Sequence, residues 1–402
     1  MKIKQKITLM LLGLVVCGSI SAQRGWEKMS SGVVKDLNDV FFIDSLEGWT
    51  VGNSGTILHT ADGGILWEIQ PGATTSFFQG IWFSDDTTGW VVGSSGTMLR
   101  TDNKGENWSA ANFPIAQGLT DIMFCNPLNG WIVGDLGIIF HTFDGGEKWQ
   151  YQFAGVEQSL LSVSFTDVNN GWIAGSYNFG WLSHTQNGGI EWTDFPLPID
   201  DLTYCVFFIS PYRGWAGTGS MVMYTDDVGD TWSEQLLPEG SGNVTDLFFI
   251  NDMQGWALTE KYIYYTGNAG MNWELQLQAE NSAAFSAIYF TDAQHGWVVG
   301  SSGLVYRTTD GGGTGLQEID ISDRIVVFPN PAIERLNIRL EDPFCTGTDL
   351  TMEIYDQAGH LLFRDMSLKS NELQIPLNGM KGPVTIRVSQ KGMSGSCVVI
   401  IP

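Results

Sequence analysis

Seven times along the chain a short, continuous apolar run recurs, and each time a Gly-Trp pair follows it. The runs are Val40-Phe41-Phe42, Ile81-Trp82-Phe83, Ile122-Met123-Phe124 and so on to Ile288-Tyr289-Phe290. Their third place is always Phe: Phe42, Phe83, Phe124, Phe165, Phe208, Phe249 and Phe290. A run that is apolar at consecutive positions predicts a strand buried on both faces. The pairs begin at Gly48, Gly89, Gly130, Gly171, Gly214, Gly255 and Gly296, in steps of 41, 41, 41, 43, 41 and 41 residues. After each pair come a Gly-containing turn (Ser54-Gly55, Ser95-Gly96, Ser302-Gly303), a third apolar strand, a loop that ends in Trp, and an outer strand. Four short strands in about 41 residues, repeated seven times, predict an all-β fold: a seven-bladed β-propeller with the apolar run as the innermost strand of each blade.

The loop before the outer strand has its own signature. Thr60-x-Asp62-x-Gly64-x-x-Trp67, Thr142-x-Asp144-x-Gly146-x-x-Trp149 and Thr225-x-Asp227-x-Gly229-x-x-Trp232 share one spacing, and Asn103, Asn187 and Asn268 hold the acidic slot in other copies. An acidic or amide side chain caps N–H groups inside such a turn, Gly takes a positive φ, and Trp folds back over the hairpin. These segments resemble the Asp-box, or bacterial neuraminidase repeat. The ligand density of a calcium loop is missing. With the Gly-Trp-x-Val-Gly-x-x-Gly plan of Gly89 to Gly96, the repeat is most similar to the photosystem II assembly-factor family. That resemblance implies the fold. The family's function is not carried over, because this propeller is acidic and poor in Arg.

The tryptophans also predict how the ring closes. Seven belong to Gly-Trp pairs and six end the boxes: Trp67, Trp108, Trp149, Trp192, Trp232 and Trp273. The seventh box, Thr308 to Gly315, has Gly315 in the Trp position. Trp26 precedes Gly48 by 22 residues, as Trp67 precedes Gly89. The residues after Trp26 therefore read as the outer strand of the last blade, which removes the open sheet edges. Trp82 and Trp181 alone stand outside the repeated slots. The propeller is assigned to 23–315, followed by a linker at 316–323.

From 324 to 402 the pattern changes to short alternating strands at Ile325–Phe328, Arg335–Leu340, Thr351–Tyr355, Leu361–Arg364, Leu373–Pro376, Val384–Val388 and Cys397–Ile401. Seven strands in under 80 residues predict a small Ig-like β-sandwich. Pro329-Asn330-Pro331, then Leu336-x-Ile338, then Ile354-Tyr355-Asp356-x-x-Gly359, and a terminal Val398-Val399-Ile400-Ile401 resemble the C-terminal sorting domain of the type IX secretion system of Bacteroidota. Two departures are Gly382-Pro383-Val384, where the family often has Gly-x-Tyr, and Ser396-Cys397, where it often has Lys. The resemblance implies that the type IX machinery is a partner.

The amino terminus fits that route. Lys2, Lys4 and Lys6 precede the apolar stretch Ile7 to Val16, and Ser19-Ile20-Ser21-Ala22 offers small residues before Gln23. This is the pattern of a signal peptide, 1–22, cleaved between Ala22 and Gln23. The rival reading is a lipidated Cys17, disfavoured by Val16 before it. No second long apolar run exists, so the mature chain is not expected to be transmembrane. Formal charge is −24, and loss of the three leader lysines takes it to −27. So acidic a surface excludes nucleic acid and anionic lipid as natural partners. Cys125, Cys205, Cys345 and Cys397 show neither C-x-x-C pairing nor a zinc spacing. Cys345 and Cys397 share the tail, and their pairing is left open.

Chemistry is harder to find. No metal or cofactor is expected, and the propeller is expected to be monomeric. Arg24, Arg100, Arg213 and Arg307 are its only arginines, and Arg100, Arg213 and Arg307 map to the Asp-box face. A sialidase would need an arginine trio holding a carboxylate on the other face. His59, His141 and His184 share one repeated slot on different blades, which predicts packing rather than metal binding. Two carboxylates for glycoside cleavage have candidates in Glu157, Asp200, Asp201, Glu239 and Glu280 on the inter-blade loops. Blade 4 is two residues longer than the other blades, and the extra length falls in Gly175 to Trp181. Its aromatics Tyr177, Phe179 and Trp181 are the candidate ligand-binding residues, able to stack on a sugar or anchor a partner if exposed; the alternative is a longer hairpin whose aromatics pack on a neighbouring blade. The expected function is a secreted or surface, non-catalytic propeller binding a protein or glycan; the alternative is a glycan-cleaving hydrolase on the same fold.

Overall fold

The computed structural model describes residues 25–313, apart from 72–73, 112, 114, 176–180, 196, 200, 220 and 239, and beyond them the strands of the tail with residues 356 and 381. Seven four-stranded antiparallel sheets make the propeller. Blade 1 runs outward through Leu37–Phe42, Gly48–Gly52, Thr56–Thr60 and Glu68–Gln70. Blades 2 to 6 repeat this order, with inner strands Phe78–Phe83, Leu119–Asn126, Leu160–Phe165, Thr203–Phe208 and Val244–Phe249. Blade 7 takes Phe285–Phe290, Gly296–Gly300 and Leu304–Thr308 from its own repeat, and Glu27–Ser30 from the start of the chain as outer strand. The register of that closure pairs Glu27 with Arg307 and Ser30 with Leu304.

One packing unit recurs at each blade junction and explains why Gly, Trp and Phe travel together. Phe42 lies opposite Gly48 across its own hairpin. A Cβ on Gly48 would sit 2.3 Å from the Phe42 ring, so only Gly leaves the ring its place. The ring then stacks on Trp297 of the preceding blade at 3.5 Å and meets the box residue Trp67 edge-on at 5.9 Å. Phe165 repeats this between Trp131 and Trp192, and Phe249 between Trp215 and Trp273. In blade 7, Phe290 stacks on Trp256 and meets Trp26 edge-on at 5.9 Å. Trp26 is buried and its Nε1 donates to Gln276. Each aromatic pair adds about 0.5–1.5 kcal/mol beyond the area it buries.

The two faces of the ring follow from hydrogen bonds between loops. Box turns bond to the turns preceding the Gly-Trp strands, as Gly63 N–H does to the Leu46 carbonyl. The turns between second and third strands bond instead to the inter-blade loops. Gly55 shows why the latter need glycine: its φ is +73°, and a Cβ would fall 1.9 Å from the Thr74 carbonyl oxygen of the neighbouring loop.

In the tail, one sheet runs Ile319–Asp320, Met393–Ile401, Gly382–Gln390, Thr351–Tyr355, Leu361–Asp365, and a second runs Ile325–Phe328, Arg335–Leu340, Glu372–Pro376. Ile319–Asp320 falls inside the segment expected to be linker and pairs in parallel with Met393 and Ser394. Both sheets bury apolar side chains at alternate positions: Met352 and Ile354, Val384 and Ile386 in the first, Ile338 and Ile375 in the second. Among the described residues no helix is long and apolar enough to cross a membrane. The signal peptide and its Ala22–Gln23 cleavage point lie outside the described residues, as do Pro329, Asn330, Pro331 and Gly359 of the tail motif. Tyr355 ends its strand and Asp356 follows it.

Candidate ligand site at the propeller axis

Of the three aromatics expected to bind ligand, Tyr177 and Phe179 lie outside the described residues. Trp181 requires a correction. It is 3 % exposed and packs with Trp131, Val156, Leu160 and Ile173 between blades 3 and 4. The strand Leu182–Thr185 begins directly after it, so Trp181 enters the inter-blade core as that strand sets off. A large apolar side chain at this depth anchors the hairpin and is not offered to solvent.

The box residues form self-contained turns. Thr60 Oγ1 donates to Asp62 Oδ1 at 2.9 Å and accepts Gly64 N–H at 2.9 Å, while Asp62 Oδ1 accepts Leu66 N–H. Thr142, Asp144 and Gly146 repeat the pattern, as do Thr225, Asp227 and Gly229. These donors hold all three Asp carboxyls below their ordinary range: the Leu66 N–H for Asp62, the Lys148 N–H for Asp144 and the Thr231 hydroxyl for Asp227. Trp67, Trp149 and Trp232 close the same turns on the inter-blade Phe rings. His141 and His184 stack at 4.2 Å on Trp131 and Trp172, and burial pushes both down to about 4. Arg100, Arg213 and Arg307 are each ion-paired with a carboxylate.

The axis holds what repeat counting did not single out. All seven inner strands carry a bulge at the same place, between Leu37 and Asp39 in blade 1 and between Val244 and Asp246 in blade 6. The residue after the bulge points toward the next blade, because an extra residue re-aims the side chains that follow it. In blades 1, 3 and 6 it is Asp. Asp39 accepts Val40 N–H and, from blade 2, Ile81 N–H at 2.8 Å. Asp121 does the same for Ile122 and Val163, and Asp246 for Leu247 and Ile288. Blade 4 uses Ser162, whose hydroxyl accepts Val206 N–H at 3.3 Å. The three carboxyls lie deep in the ring, although each residue as a whole keeps part of its surface exposed. Burial raises all three: Asp121 to about 6, Asp246 to about 7 and Asp39 well above the ordinary range, with repulsion among them adding to the rise in Asp39 and Asp246.

Two residues further along, the inner strands line the axis with Phe41, Trp82, Phe207, Phe248 and Tyr289. Neighbouring ring centres are 5.1 Å apart for Trp82 and Phe41, 5.0 Å for Phe41 and Tyr289, 5.1 Å for Tyr289 and Phe248, and 5.3 Å for Phe248 and Phe207. These five make a continuous arc over blades 2, 1, 7, 6 and 5. Blades 3 and 4 interrupt it: Met123 Sδ accepts Phe165 N–H and Ser164 Oγ accepts Phe208 N–H. Apart from Phe41, the arc is partly exposed. The carboxyls stand on the side nearer the inter-blade loops, since each inner strand starts there.

The described loop carboxylates expected to furnish a hydrolase pair, Glu157, Asp201 and Glu280, lie on three different inter-blade loops. Glu157 is exposed, Glu280 is ion-paired with Lys28 at 2.8 Å, and Asp200 and Glu239 lie outside the described residues. Asp201 accepts Leu202 N–H next to it in sequence. Cys205 is buried beside the Val244 carbonyl, and Cys125 is partly buried on its inner strand. Sequence reading passed over Asp39, Asp121 and Asp246 because an acidic residue one place before an apolar run reads as strand edge. The signal available was their recurrence in one slot.

Comparison with known proteins agrees with the propeller fold and the separate tail. Residues 19–113 and 107–200 match the family described as photosynthesis system II assembly factor YCF48, and residues 326–394 match the secretion system C-terminal sorting domain. No curated protein matches the chain. Among solved structures, one titled "YCF48 bound to D1 peptide" is 22 % identical, with a TM-score of 0.62 over 71 % of this chain and 97 % of its own. YCF48 from Cyanidioschyzon merolae is 22 % identical, with a TM-score of 0.60 over 71 % of this chain and 98 % of its own. The WD40 β-propeller domain of Doa1 is 11 % identical, with a TM-score of 0.59 over 71 % and 97 %. The chain is therefore a seven-bladed propeller that resembles the photosystem II assembly-factor family. Its tail is a sorting domain that directs export through the type IX system to the cell surface or the medium.

Proposed function

We propose that the mature protein is a non-catalytic binding propeller, displayed on or released from the cell surface of a member of the Bacteroidota, that takes a protein or glycan ligand at the inter-blade mouth of its axis. The observation that carries this reading is the arc of five aromatic rings, most of them partly exposed, beneath three carboxyls. Aromatic faces that the core does not consume are the usual anchors of propeller ligands. A peptide ligand has support in the solved YCF48 structure whose title records one. The signal peptide 1–22 and the tail 324–402 supply the two stages of export, and the propeller 23–315 is the cargo that acts outside.

Two experiments test this. Peptide and glycan arrays probed with the mature protein should give ligands whose binding falls at least about tenfold in Phe248→Leu and Trp82→Leu variants, with little change in Tm. Binding unaffected by both substitutions overturns the axial site. Removal of 324–402 should leave a folded propeller in the periplasm, read by fractionation; normal surface display of the truncated chain overturns the export reading.

A hydrolase reading has one observation in its favour: Asp121 at about 6 and Asp246 at about 7 lie where a general acid works. The oxygens of both groups are engaged by backbone N–H groups, and Ser162 does the same task in blade 4. That equivalence assigns them to blade linkage, and array ligands incubated with the protein should release no reducing sugar.

A further inference from the structure

We infer that the axial recess receives an organic cation, an ammonium or guanidinium group, entering from the inter-blade face. There it meets the carboxyls of Asp39, Asp121 and Asp246 and rests on the faces of Trp82, Phe248 and Tyr289. The inference rests on the axis being the ligand site and names the chemistry of what binds there.

Four observations converge. The first is a set of carboxyls with no cationic partner. The groups acting on Asp39, Asp121 and Asp246 are burial, backbone N–H groups, the Ser162 hydroxyl and one another, with no Lys or Arg among them. The described arginines of the propeller pair with carboxylates elsewhere, and Lys28 pairs with Glu280. The second is the arc itself. Aromatic faces carry negative quadrupole and attract a cation most strongly where water is scarce, by up to about 2 kcal/mol or more. The third is Tyr289, which sits deep in the ring near Asp39 and whose hydroxyl makes no hydrogen bond to a described residue. Burial and the Asp39 charge keep it a neutral phenol, whose oxygen can accept from a cationic N–H. The fourth is spacing. No group of three His, Cys, Asp or Glu among the described residues converges closely enough for a metal ion. A larger cation, with N–H donors directed outward and a flat or tapering body, suits carboxyls spread over blades 1, 3 and 6 above an aromatic floor.

Other ligand classes leave part of this arrangement unused. A neutral sugar would stack on the arc without relieving the carboxyls, and an anion would meet repulsion. A cation also makes a definite thermodynamic demand. Asp121, at about 6, and Asp246, at about 7, are partly protonated near neutral pH, so a cation that holds them ionised must expel protons. Affinity should then rise with pH between about 5 and 8, and the binding heat should depend on the protonation enthalpy of the buffer.

Calorimetric titration of the mature full chain tests this with three probes: a blocked glycine pentapeptide carrying one arginine, its citrulline isostere, and spermidine. The arginine peptide should bind about tenfold or more tighter than the citrulline peptide and release protons on binding. Asp246→Ser and Asp39→Ser keep an N–H acceptor of the kind Ser162 supplies, so both should fold, as Tm reports. Each should lose about tenfold in affinity and part of the proton release. Spermidine binding as tightly as the peptide supports the inference and assigns the source as a free amine; binding of the arginine peptide alone supports it and assigns a polypeptide. Equal binding of arginine and citrulline peptides, unchanged affinity in both Asp variants, or no binding of either cation at millimolar concentration overturns it. A glycan that binds with loss on Phe248→Leu and without proton release overturns the cation while leaving the axial site intact. Binding indifferent to every axial substitution overturns both.

Discussion

Blades 3 and 4 and the other five build the same inner strand and use its axial side differently. In all seven, the third residue of the apolar run is a Phe buried between the Trp of the preceding blade and the Trp that closes its own. One residue earlier, five blades place an aromatic ring on the axis, while blades 3 and 4 place Met123 and Ser164, which turn aside to accept a neighbouring N–H. A repeat protein thus compares its own positions. A slot filled identically seven times is one the ring cannot close without, and a slot that varies is one the fold leaves free.

The largest effect that follows concerns the closure. Deleting 23–32 removes Trp26 and the whole outer strand of blade 7, leaving Leu304–Thr308 as an open edge. Removing one buried Trp alone costs about 3–5 kcal/mol, and the deletion also strips a row of backbone bonds. The truncated chain should unfold at a far lower temperature or aggregate through the bared edge. An unchanged Tm would break the view that the termini staple the ring.

Next come single core aromatics. Phe165→Ala and Trp181→Ala should each cost about 3–5 kcal/mol by denaturant melts, because both sit in the same blade 3–4 core. Trp181 sharpens the comparison, since its turn is the one place where blade 4 is longer than the other blades. A loss below about 1 kcal/mol for Trp181→Ala would return this residue to the surface, as its candidacy for ligand binding requires.

That residue marks the limit of what the sequence made legible. The blades, their order and the closing strand follow from spacing, because Gly48, Phe42 and Trp297 occupy one packing unit and none of the three can change alone. The axial layer does not, because it depends on a bulge, and a bulge adds one residue without altering the 41-residue period. Asp39 and Phe41 thus read as strand edge and core, although both face the axis. The tail strands were legible from alternation, whereas Ile319–Asp320 was not, since two polar-flanked residues carry no periodicity.

Ser164 and Phe248 test the two uses of the axial slot at a lower cost. Ser164→Ala removes the acceptor of Phe208 N–H in a buried place, which should cost about 1–3 kcal/mol. Phe248→Leu keeps most of the apolar volume and should cost less than about 1.5 kcal/mol. If the order is reversed, with Phe248 the more sensitive, the arc is core and the ligand reading loses its support.

The smallest effect is read from pH, and its sign is fixed by direction. Asp121, at about 6, and Asp246, at about 7, take up protons more readily in the folded ring than in the unfolded chain. Their contribution to stability is therefore fully present below about pH 4, and it is lost as pH rises through about 6 and about 7. Asp62, Asp144 and Asp227 in the box turns act in the opposite sense: held low by their donors, they favour the folded chain above about pH 4 and lose that contribution as pH falls. Buried His141 and His184, pushed down to about 4, act in the same sense as the box turns and add stability as pH rises above about 4, so the axial carboxyls are the set that favours the acid side. Asp121→Ser separates them. A serine there can accept Val163 N–H as Ser162 accepts Val206 N–H, so at pH 7 the variant should stay within about 1 kcal/mol of the parent. Between pH 5 and 7 its stability should fall less steeply, because one proton uptake has been removed, while the acid limb below pH 4 should be unchanged. Urea melts across that range measure both limbs. A variant that keeps the parent's slope would show that Asp121 does not titrate in this window.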